Sequence, residues 1–467
     1  MMWTTLSEDA SLNGDLEAVD MAANDRDVPR RWASVLAGVA LMISVGSNHS
    51  ISAWNAHLKN LLHYSQAEIA LVCSMASFGA YFSVIPGYVF DHVGAHNSII
   101  LGGVLLSLVY SVLSVGIVEF PNIMHPILVS CAFAIVGQAS NFGVFAALGP
   151  NEGLFGEKHR GKIMALQLAA FSAGGALFAL MYHAWFDGDV SRFFRFMAIT
   201  YVLVFLFGWI ATYRLQSGEK SEQEPPHMTS MEEFNPAPLV PGPSSSESLY
   251  GSIDITGRTL LRDARFWLLF STVFILVGAS LFVMANIAFI VESLGGRKEQ
   301  VSTMVALFSV GNCLGRLVAG AISDLVLAQC PRIYFVSLAS MFVAFNHVLF
   351  LWLPASYLIV PITLSGVADG IMFASFPVLT RETFGLRHFG KNFGMISVAN
   401  ALGFPLFYSP IGSFVYKFSS VSVDGVEKCF GPHCFRPVFL LVIALCVVAL
   451  FASLQFARRR PGYASLL

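Results

Sequence analysis

Long apolar stretches recur along the whole chain, and they restrict its fold more than any other feature of the sequence. Twelve such stretches of about 18 residues or more are separated by short polar breaks, and each is long enough to cross a lipid bilayer. Backbone polar groups in lipid need internal hydrogen-bond partners, so continuous apolar runs of this length form helices. Only 12% of the residues are charged, against about 25% in soluble domains. We therefore predict an all-α, polytopic membrane protein with 12 transmembrane helices.

The predicted spans fall into two groups of six on either side of a long polar segment. They cover residues 32–56, 66–90, 97–118, 126–149, 161–184 and 193–214, and then 264–291, 301–325, 332–353, 356–380, 391–416 and 436–457. The segment between the groups is rich in Pro, Ser and Glu and lacks a core-forming pattern, which is typical of a flexible linker. The predicted units are a disordered cytosolic tail (1–31), a six-helix bundle (32–215), a flexible cytosolic linker (216–262), a second six-helix bundle (263–457) and a cytosolic tail (458–467).

The distribution of positive charge predicts the orientation. Of the 27 lysines and arginines, 18 fall on the side that carries both termini, 8 fall on the other side, and the remaining one is Arg316. This excess places both termini in the cytosol. The polar loop with Cys429 and Cys434 then faces outward, where an oxidising space would allow a disulfide between them. Four metal ligands are not in view there, so we expect no metal site.

The two groups of spans carry related sequences. The segment "GYVFDHVG" (87–94) matches "GAISDLVL" (320–327) at an offset of 233, which pairs Gly87 with Gly320 and Asp91 with Asp324. The segment "LFGEKHRGK" (154–162) matches "TFGLRHFGK" (383–391) at an offset of 229, and the same offset lays "GQAS" (137–140) on "GVAD" (366–369). Two related six-helix bundles form a transporter architecture, with the substrate site between them at mid-membrane.

The 6+6 arrangement, with G-x-x-x-D-x-x-G after the second span, resembles the major facilitator superfamily. Within it, the stretches "GSNHSISAWNAHLKNLLHYSQAEIA", "FSVGNCLGRLVAGAISD" and "ETFGLRHFGKNFG" resemble the nodulin-like branch. The resemblance implies a conformational role for residues of the repeated segments, which are Gly87, Asp91, Gly94, Gly320, Asp324, Arg160, Gly161, Gly390 and Lys391.

Arg316 is a charged residue that this sequence places near the middle of a span. It lies eight residues before Asp324, which is about 12 Å of helix rise from the cytosolic end. A charge at such depth faces a cavity or a partner, so Arg316 either clamps a substrate carboxylate or serves as an internal strut. Organic-anion members of the superfamily have a substrate-binding arginine in the eighth helix, and Arg316 is at the matching place. Asn312, also a candidate substrate ligand, stands where monocarboxylate transporters have a proton-coupling aspartate.

Two further residues are candidates for proton coupling. Asp369 lies twelve residues before Arg381, about 18 Å from the cytosolic side, and we expect it either to pair with Arg316 when the site is empty or to form a fixed structural pair. His49 can titrate near neutral pH, although a lone histidine in a helix is often only a hydrogen-bonded filler.

Other polar residues within the spans are candidates for the wall of a translocation path. Ser44, Asn48, Ser52 and Asn55 share one face of the first span, and packing by small polar residues is the alternative. The remaining candidates for substrate contact, each of which could instead make an interhelical hydrogen bond, are Gln138, Asn141, Asn286, Asn400 and Tyr408.

These features favour a secondary active transporter that moves a small organic anion, such as pyruvate or lactate, by alternating access with proton coupling or exchange. The alternatives are the same scaffold with an amino acid, nitrate or a metal chelate as cargo, and a non-transporting receptor or sensor. The sequence has no G-x-x-x-x-G-K-[ST], H-E-x-x-H or G-x-S-x-G pattern, so we expect neither ATP use nor an enzyme. We expect no cofactor and no nucleic acid partner, and a monomer in the plasma membrane or an endolysosomal or vacuolar membrane.

Overall fold

The structure is a computed structural model that describes residues 28–151, 159–186, 188–222, 254–297, 300–326, 330–385, 387–423 and 426–459. The predicted amino-terminal tail up to residue 27, the middle of the predicted linker (223–253) and the carboxyl-terminal tail from residue 460 lie outside these ranges.

Helices make up almost all of the described chain, which confirms the all-α class. The first helix, α1, covers residues 28–46. It is followed by α2 (Ile51–Leu61), α3 (Gln66–Tyr81), α4 (Val84–Glu119), α5 (Pro126–Asn151), α6 (Arg160–Met181), α7 (Val190–Glu222), α8 (Arg258–Arg262), α9 (Ala264–Ser293), α10 (Val301–Leu325), α11 (Ile333–Trp352), α12 (Ile359–Phe384), α13 (Phe389–Leu402), α14 (Ser409–Ser419) and α15 (Arg436–Arg458). The short strands β1 (Val421–Val423) and β2 (Val426–Lys428) pair as an antiparallel hairpin before α15.

Within the described residues, eleven helical stretches are long and apolar enough to cross a membrane. One of them, Glu68–Glu119, has 52 residues and would extend about 78 Å, more than twice the thickness of a bilayer core. Gly94 divides it, because its φ of 77° and ψ of 175° lie outside the helical region. The stretch therefore crosses twice, which gives the twelve predicted crossings. An even number of crossings places the start of α1 and the end of α15 on one side, here called the terminus face, and the opposite side is the distal face.

Both ends of the segment predicted as the linker are structured. Helix α7 continues to Glu222, and residues 254–262 dock on the second half. The Ile255 N–H donates to the Phe384 carbonyl at 3.0 Å, and the Asn392 amide donates to the Ile255 carbonyl at 2.8 Å. Burial alone would raise the pKa of Asp263, but hydrogen bonds from Arg265 hold it below its ordinary value. The carboxylate therefore caps α9 in its ionised form.

The distal face carries the cysteine pair that the sequence singled out. Cys429 and Cys434 are joined by a disulfide in the loop between β2 and α15, and both are buried. The Gly431 N–H donates to the Ser293 carbonyl at the end of α9, which ties this loop to the bundle.

Helices α10 and α12 approach each other closely because each presents two glycines, four residues apart, to the other. A Cβ at Gly311 or Gly315 would overlap the α12 backbone at Thr363 or Val367. Glycines at positions 366 and 370 of α12 likewise meet the α10 carbonyls of residues 308 and 312. Small residues spaced in this way allow membrane helices to pack backbone to backbone. This packing brings the polar residues of the two helices together.

We predict that Gly315→Leu destabilises the protein by about 1–3 kcal/mol, because overpacking forces the helices apart. The melting temperature of the detergent-solubilised protein measures this effect. Leu314→Ile, at a neighbouring position of α10 that is 53% exposed, is the matched control and should leave the melting temperature unchanged. Equal melting temperatures for the Gly315→Leu variant and the wild type would contradict the packing argument.

Candidate functional site

Arg316 lies where the two halves of the molecule meet. It is only 4% exposed, and nine residues separate it from the terminus-face end of α10, which corresponds to about 14 Å of helix rise. Its Nη1 donates to the Leu168 carbonyl of α6, in the first half, at 2.8 Å. Its guanidinium carbon lies 4.6 Å from the centre of the Phe373 ring of α12, a distance suited to a cation–π contact. The guanidinium is thus held by both halves.

Asn312 connects Arg316 to Asp369. The Asn312 amide oxygen accepts from Arg316 Nε at 2.8 Å, and its amide nitrogen donates to the Asp369 carboxylate. The sequence had suggested that Arg316 and Asp369 pair directly, and this expectation was wrong for the described residues, which show no ion pair between the two. The reason is geometric, since Gly370 packs against the Asn312 backbone and so brings Asp369 to Asn312, one turn before Arg316.

Asp369 is a buried carboxylate with an incomplete set of hydrogen bonds. It is 2% exposed, and its Oδ1 has no hydrogen-bond partner, while Oδ2 accepts from Asn312. Tyr81, at the end of α3, is close enough to interact electrostatically with both Asp369 and Arg316. A buried polar atom without a partner is unfavourable, and an ionisable group inside the membrane indicates a functional site.

His49 is a residue of the first crossing that comes close to the charged cluster. It lies in the 3-10 turn Ser47–Ser50 that interrupts the first crossing, and its ring packs edge-on against Phe171 of α6 at 5.1 Å. The side chain is exposed, yet it is close enough to Arg316 to interact electrostatically. A titratable side chain close to a buried charge inside a membrane bundle indicates a functional site.

The repeated motifs bind each other across the terminus face. The Asp91 carboxylate accepts from the Gly390 and Lys391 N–H groups, each at 2.8 Å, at the start of α13. In the related pair, the Asp324 carboxylate accepts from the Gly161 and Lys162 N–H groups at 3.0 and 2.7 Å, at the start of α6. A carboxylate is stabilised at a helix amino terminus by the free N–H groups and the helix dipole. Each half therefore closes on a helix of the other.

Close backbone packing and ion pairs support this closure. A Cβ at Gly87 would overlap the Gly390 backbone, and one at Gly320 would overlap Gly161 and Ala165. Asp324 also pairs with the buried Arg332, which in turn pairs with Glu382 at the end of α12. Ion pairs therefore link the terminus-face ends of α10, α11 and α12, below the site that contains Arg316.

Three more residues of the predicted motif contribute less to the closure of the terminus face. Arg160 is buried at the start of α6, and Lys391 Nζ lies 4.7 Å from the centre of the Tyr88 ring of the opposite half. Gly94 provides the break after the second crossing.

Four predicted substrate ligands of the first half are engaged in structural hydrogen bonds. Gln138 donates to the Gly79 and Phe82 carbonyls at 2.7 and 2.5 Å, and Asn141 donates to the Ala80 carbonyl at 3.0 Å. These carbonyls border the break between α3 and α4, so both amides satisfy backbone that has left the helix. The two others lie in the first crossing, where Asn48 donates to Ser140 Oγ at 2.9 Å and Asn55 to Cys73 Sγ at 3.7 Å.

Of three further predicted ligands in the second half, two have internal hydrogen-bond partners. Asn286 donates to the Phe282 carbonyl of its own helix at 2.8 Å, and the buried Tyr408 donates to the Ile275 carbonyl at 3.2 Å. Asn400 is buried, and its Oδ1 has no hydrogen-bond partner.

Sequence reasoning missed several residues that complete the site and the closure. They are Ser172, whose hydroxyl donates to the Asn312 amide oxygen at 2.9 Å, and Tyr81, Phe373, Arg332 and Glu382. Ser172 is the only serine in α6, a signal that could have identified it. The role of Phe373 needed the packing of α10 on α12, because one aromatic residue among 41 phenylalanines carries no signal of its own.

Comparisons with known proteins agree with this architecture. A sequence model described as "Major Facilitator Superfamily" matches residues 36–287 and 268–465. The protein named "Probable transporter MCH1" of Gibberella zeae is 22% identical over 502 residues, which cover 88% of this chain and 86% of that protein. The "Uncharacterized MFS-type transporter YhjX" of Escherichia coli K12 is 22% identical over 378 residues, covering 80% and 85%.

Solved structures share the fold. A bacterial homologue of the iron transporter ferroportin, solved in an outward-facing state with soaked iron, has a TM-score of 0.66 at 11% identity and covers 92% of this chain and 99% of that chain. The proton:xylose symporter XylE has a TM-score of 0.62 at 14% identity, with coverage of 92% and 96%.

We predict that Asp324→Asn opens the terminus face. A neutral acceptor binds the two α6 N–H groups less strongly than a carboxylate, and hydrogen bonds to charged groups contribute about 1.5–3 kcal/mol. Spin labels at His92 and Leu325, one in each half and both exposed, report the separation by double electron–electron resonance, and we expect a new population at longer distance.

The control is Asp189→Asn. This residue is on the distal face, where its carboxylate accepts from the N–H of the exposed Arg192. A distance distribution in Asp324→Asn identical to that of the control would show that Asp324 does not hold the halves together.

Proposed function

The chain belongs to the major facilitator superfamily, and from this membership we propose that it is a secondary active transporter of a small organic anion, such as pyruvate or lactate. Cargo would bind between the halves and cross by alternating access, with closure of the terminus face by Asp91 and Asp324 in one state. The observation that carries the proposal is Arg316, a buried guanidinium where the two halves meet, with the exposed His49 close to it. A planar guanidinium binds a carboxylate through two parallel hydrogen bonds.

Proton coupling is the second part of the proposal. Asp369 has one oxygen without a hydrogen-bond partner and interacts electrostatically with Arg316 and Tyr81. An anionic cargo that binds Arg316 neutralises the positive charge near Asp369. This favours protonation of the Asp369 carboxylate. A proton and an anion would then travel together as a neutral pair. His49 is the candidate for proton exchange with water, because it is exposed in the same region.

An amino acid is the alternative cargo that an observation favours. Arg316 and Asp369 offer a cation and a carboxylate linked by Asn312, which matches the two charges of a zwitterion. We also propose that both termini are cytosolic, from the positive charge on the terminus face, and that the protein functions as a monomer. The nodulin-like branch and the membrane in which the protein resides stay predictions from the sequence.

We predict that Arg316→Lys raises the KM for pyruvate by about tenfold or more. An ammonium group lacks the two-pronged geometry, and the loss of a charge-assisted hydrogen bond is worth about 1.5–3 kcal/mol. Uptake of radiolabelled pyruvate or lactate into proteoliposomes measures the effect. Arg192→Lys, whose side chain is 69% exposed, is the control and should transport like the wild type. Unchanged kinetics in Arg316→Lys would rule out the carboxylate clamp.

We predict that Asp369→Asn abolishes the stimulation of uptake by an inward proton gradient while exchange of internal for external pyruvate continues. An amide cannot carry the proton but still accepts the hydrogen bond from Asn312. The measurement compares uptake with and without a pH gradient in the same proteoliposomes, with Asp189→Asn as the control. A pH dependence equal to that of the wild type would assign proton coupling to another group.

A further inference from the structure

The hydroxyl group of Ser172 reaches the charged cluster from the opposite half of the molecule. Ser172 of α6 donates to the Asn312 amide oxygen at 2.9 Å, and this oxygen also accepts from Arg316 Nε at 2.8 Å. With two donors on its oxygen, the amide of Asn312 has a fixed direction, and its NH2 group points to the Asp369 carboxylate. A flipped amide would turn NH2 hydrogens toward the Arg316 guanidinium and an oxygen toward the Asp369 carboxylate, and both contacts are repulsive.

We propose that Ser172 is a positioning residue that makes the arrangement of Arg316, Asn312 and Asp369 depend on closure of the seam between α6 and α10. The inference rests on the proposed function. The Ser172–Asn312 and Arg316–Leu168 hydrogen bonds both cross between the halves. Both therefore break when α6 leaves α10, and the Asn312 amide is then free to turn.

The same contacts set up a competition between the cargo and α6. In the closed seam, Arg316 Nη1 is taken by the Leu168 carbonyl and Nε by Asn312. Three of the five guanidinium N–H groups remain, one on Nη1 and two on Nη2, so a carboxylate can bind end-on through Nη1 and Nη2. In this mode the carboxylate shares Nη1 with the Leu168 carbonyl, and repulsion between the two acceptors weakens the Arg316 contact that crosses the seam.

A native cysteine reports the state of the seam without any cargo. Cys313 is partly buried, and its Sγ lies 4.0 Å from the Ala169 carbonyl of α6, so α6 restricts access to it while the seam is closed. The other free cysteines of the described chain, which are Cys73, Cys131, Cys330 and Cys446, are replaced by serine. The rate at which N-ethylmaleimide alkylates Cys313 in the full-length protein in proteoliposomes then measures how often the seam opens.

We expect Ser172→Ala to raise the alkylation rate about two- to tenfold in the absence of cargo, which is the effect of one lost hydrogen bond. Ser172→Thr keeps the hydroxyl and should stay close to the wild type. Ser340→Ala is the control, because Ser340 lies within the second half and donates only to the Val336 carbonyl of its own helix, at 3.0 Å. Pyruvate should accelerate alkylation in the wild type and have a smaller effect in Ser172→Ala.

The outcomes separate this inference from the proposed cargo. Alkylation of Ser172→Ala at the wild-type rate, or of Ser172→Thr as fast as Ser172→Ala, would overturn the role of the hydroxyl. Faster alkylation in Ser172→Ala alone supports that role even where pyruvate is neither transported nor able to change the rate. In that case the cargo is wrong and the positioning role of Ser172 stands.

Discussion

The cost of leaving a charge without a partner in a low-dielectric interior is the constraint on which the rest of this structure depends. Arg316 and Asp369 are both buried inside the membrane-spanning bundle. Neither would be tolerated alone, and the fold supplies Asn312 between them, the Leu168 carbonyl and the Phe373 ring. The glycines that let α10 pack closely against α12 support the cluster, because they place Asn312 beside Asp369.

A similar but weaker electrostatic requirement applies on the terminus face, where carboxylates also need partners. Asp91 and Asp324 each lie at the amino terminus of a helix from the other half, where backbone N–H groups take the place of a cation. Such contacts hold the halves together while the terminus face is closed, and water can replace the backbone N–H groups when it opens. The halves are thus joined by polar contacts at two levels, the face and the middle, and α6 takes part in both.

Much of this organisation could be predicted from the sequence because it follows from local rules. Apolar length identified the crossings, and the internal repeats identified the two halves together with the residues that close them. The depth of Arg316 followed from helix rise. Packing required coordinates, since Ser172, Tyr81 and Phe373 come from three different crossings and reach one cluster only through the arrangement of the helices.

By itself, the sequence determined the number of crossings, the twofold repeat and the presence of buried charge, because each depends only on residue type and spacing along one helix. The tertiary structure decided which polar groups meet. It placed Asn312 between Arg316 and Asp369, and it used Gln138 and Asn141 to satisfy the broken backbone near Phe82. The physical reason is that a polar side chain in the membrane bonds to whatever group the neighbouring helix presents, and that neighbour is fixed by packing between helices far apart in the chain.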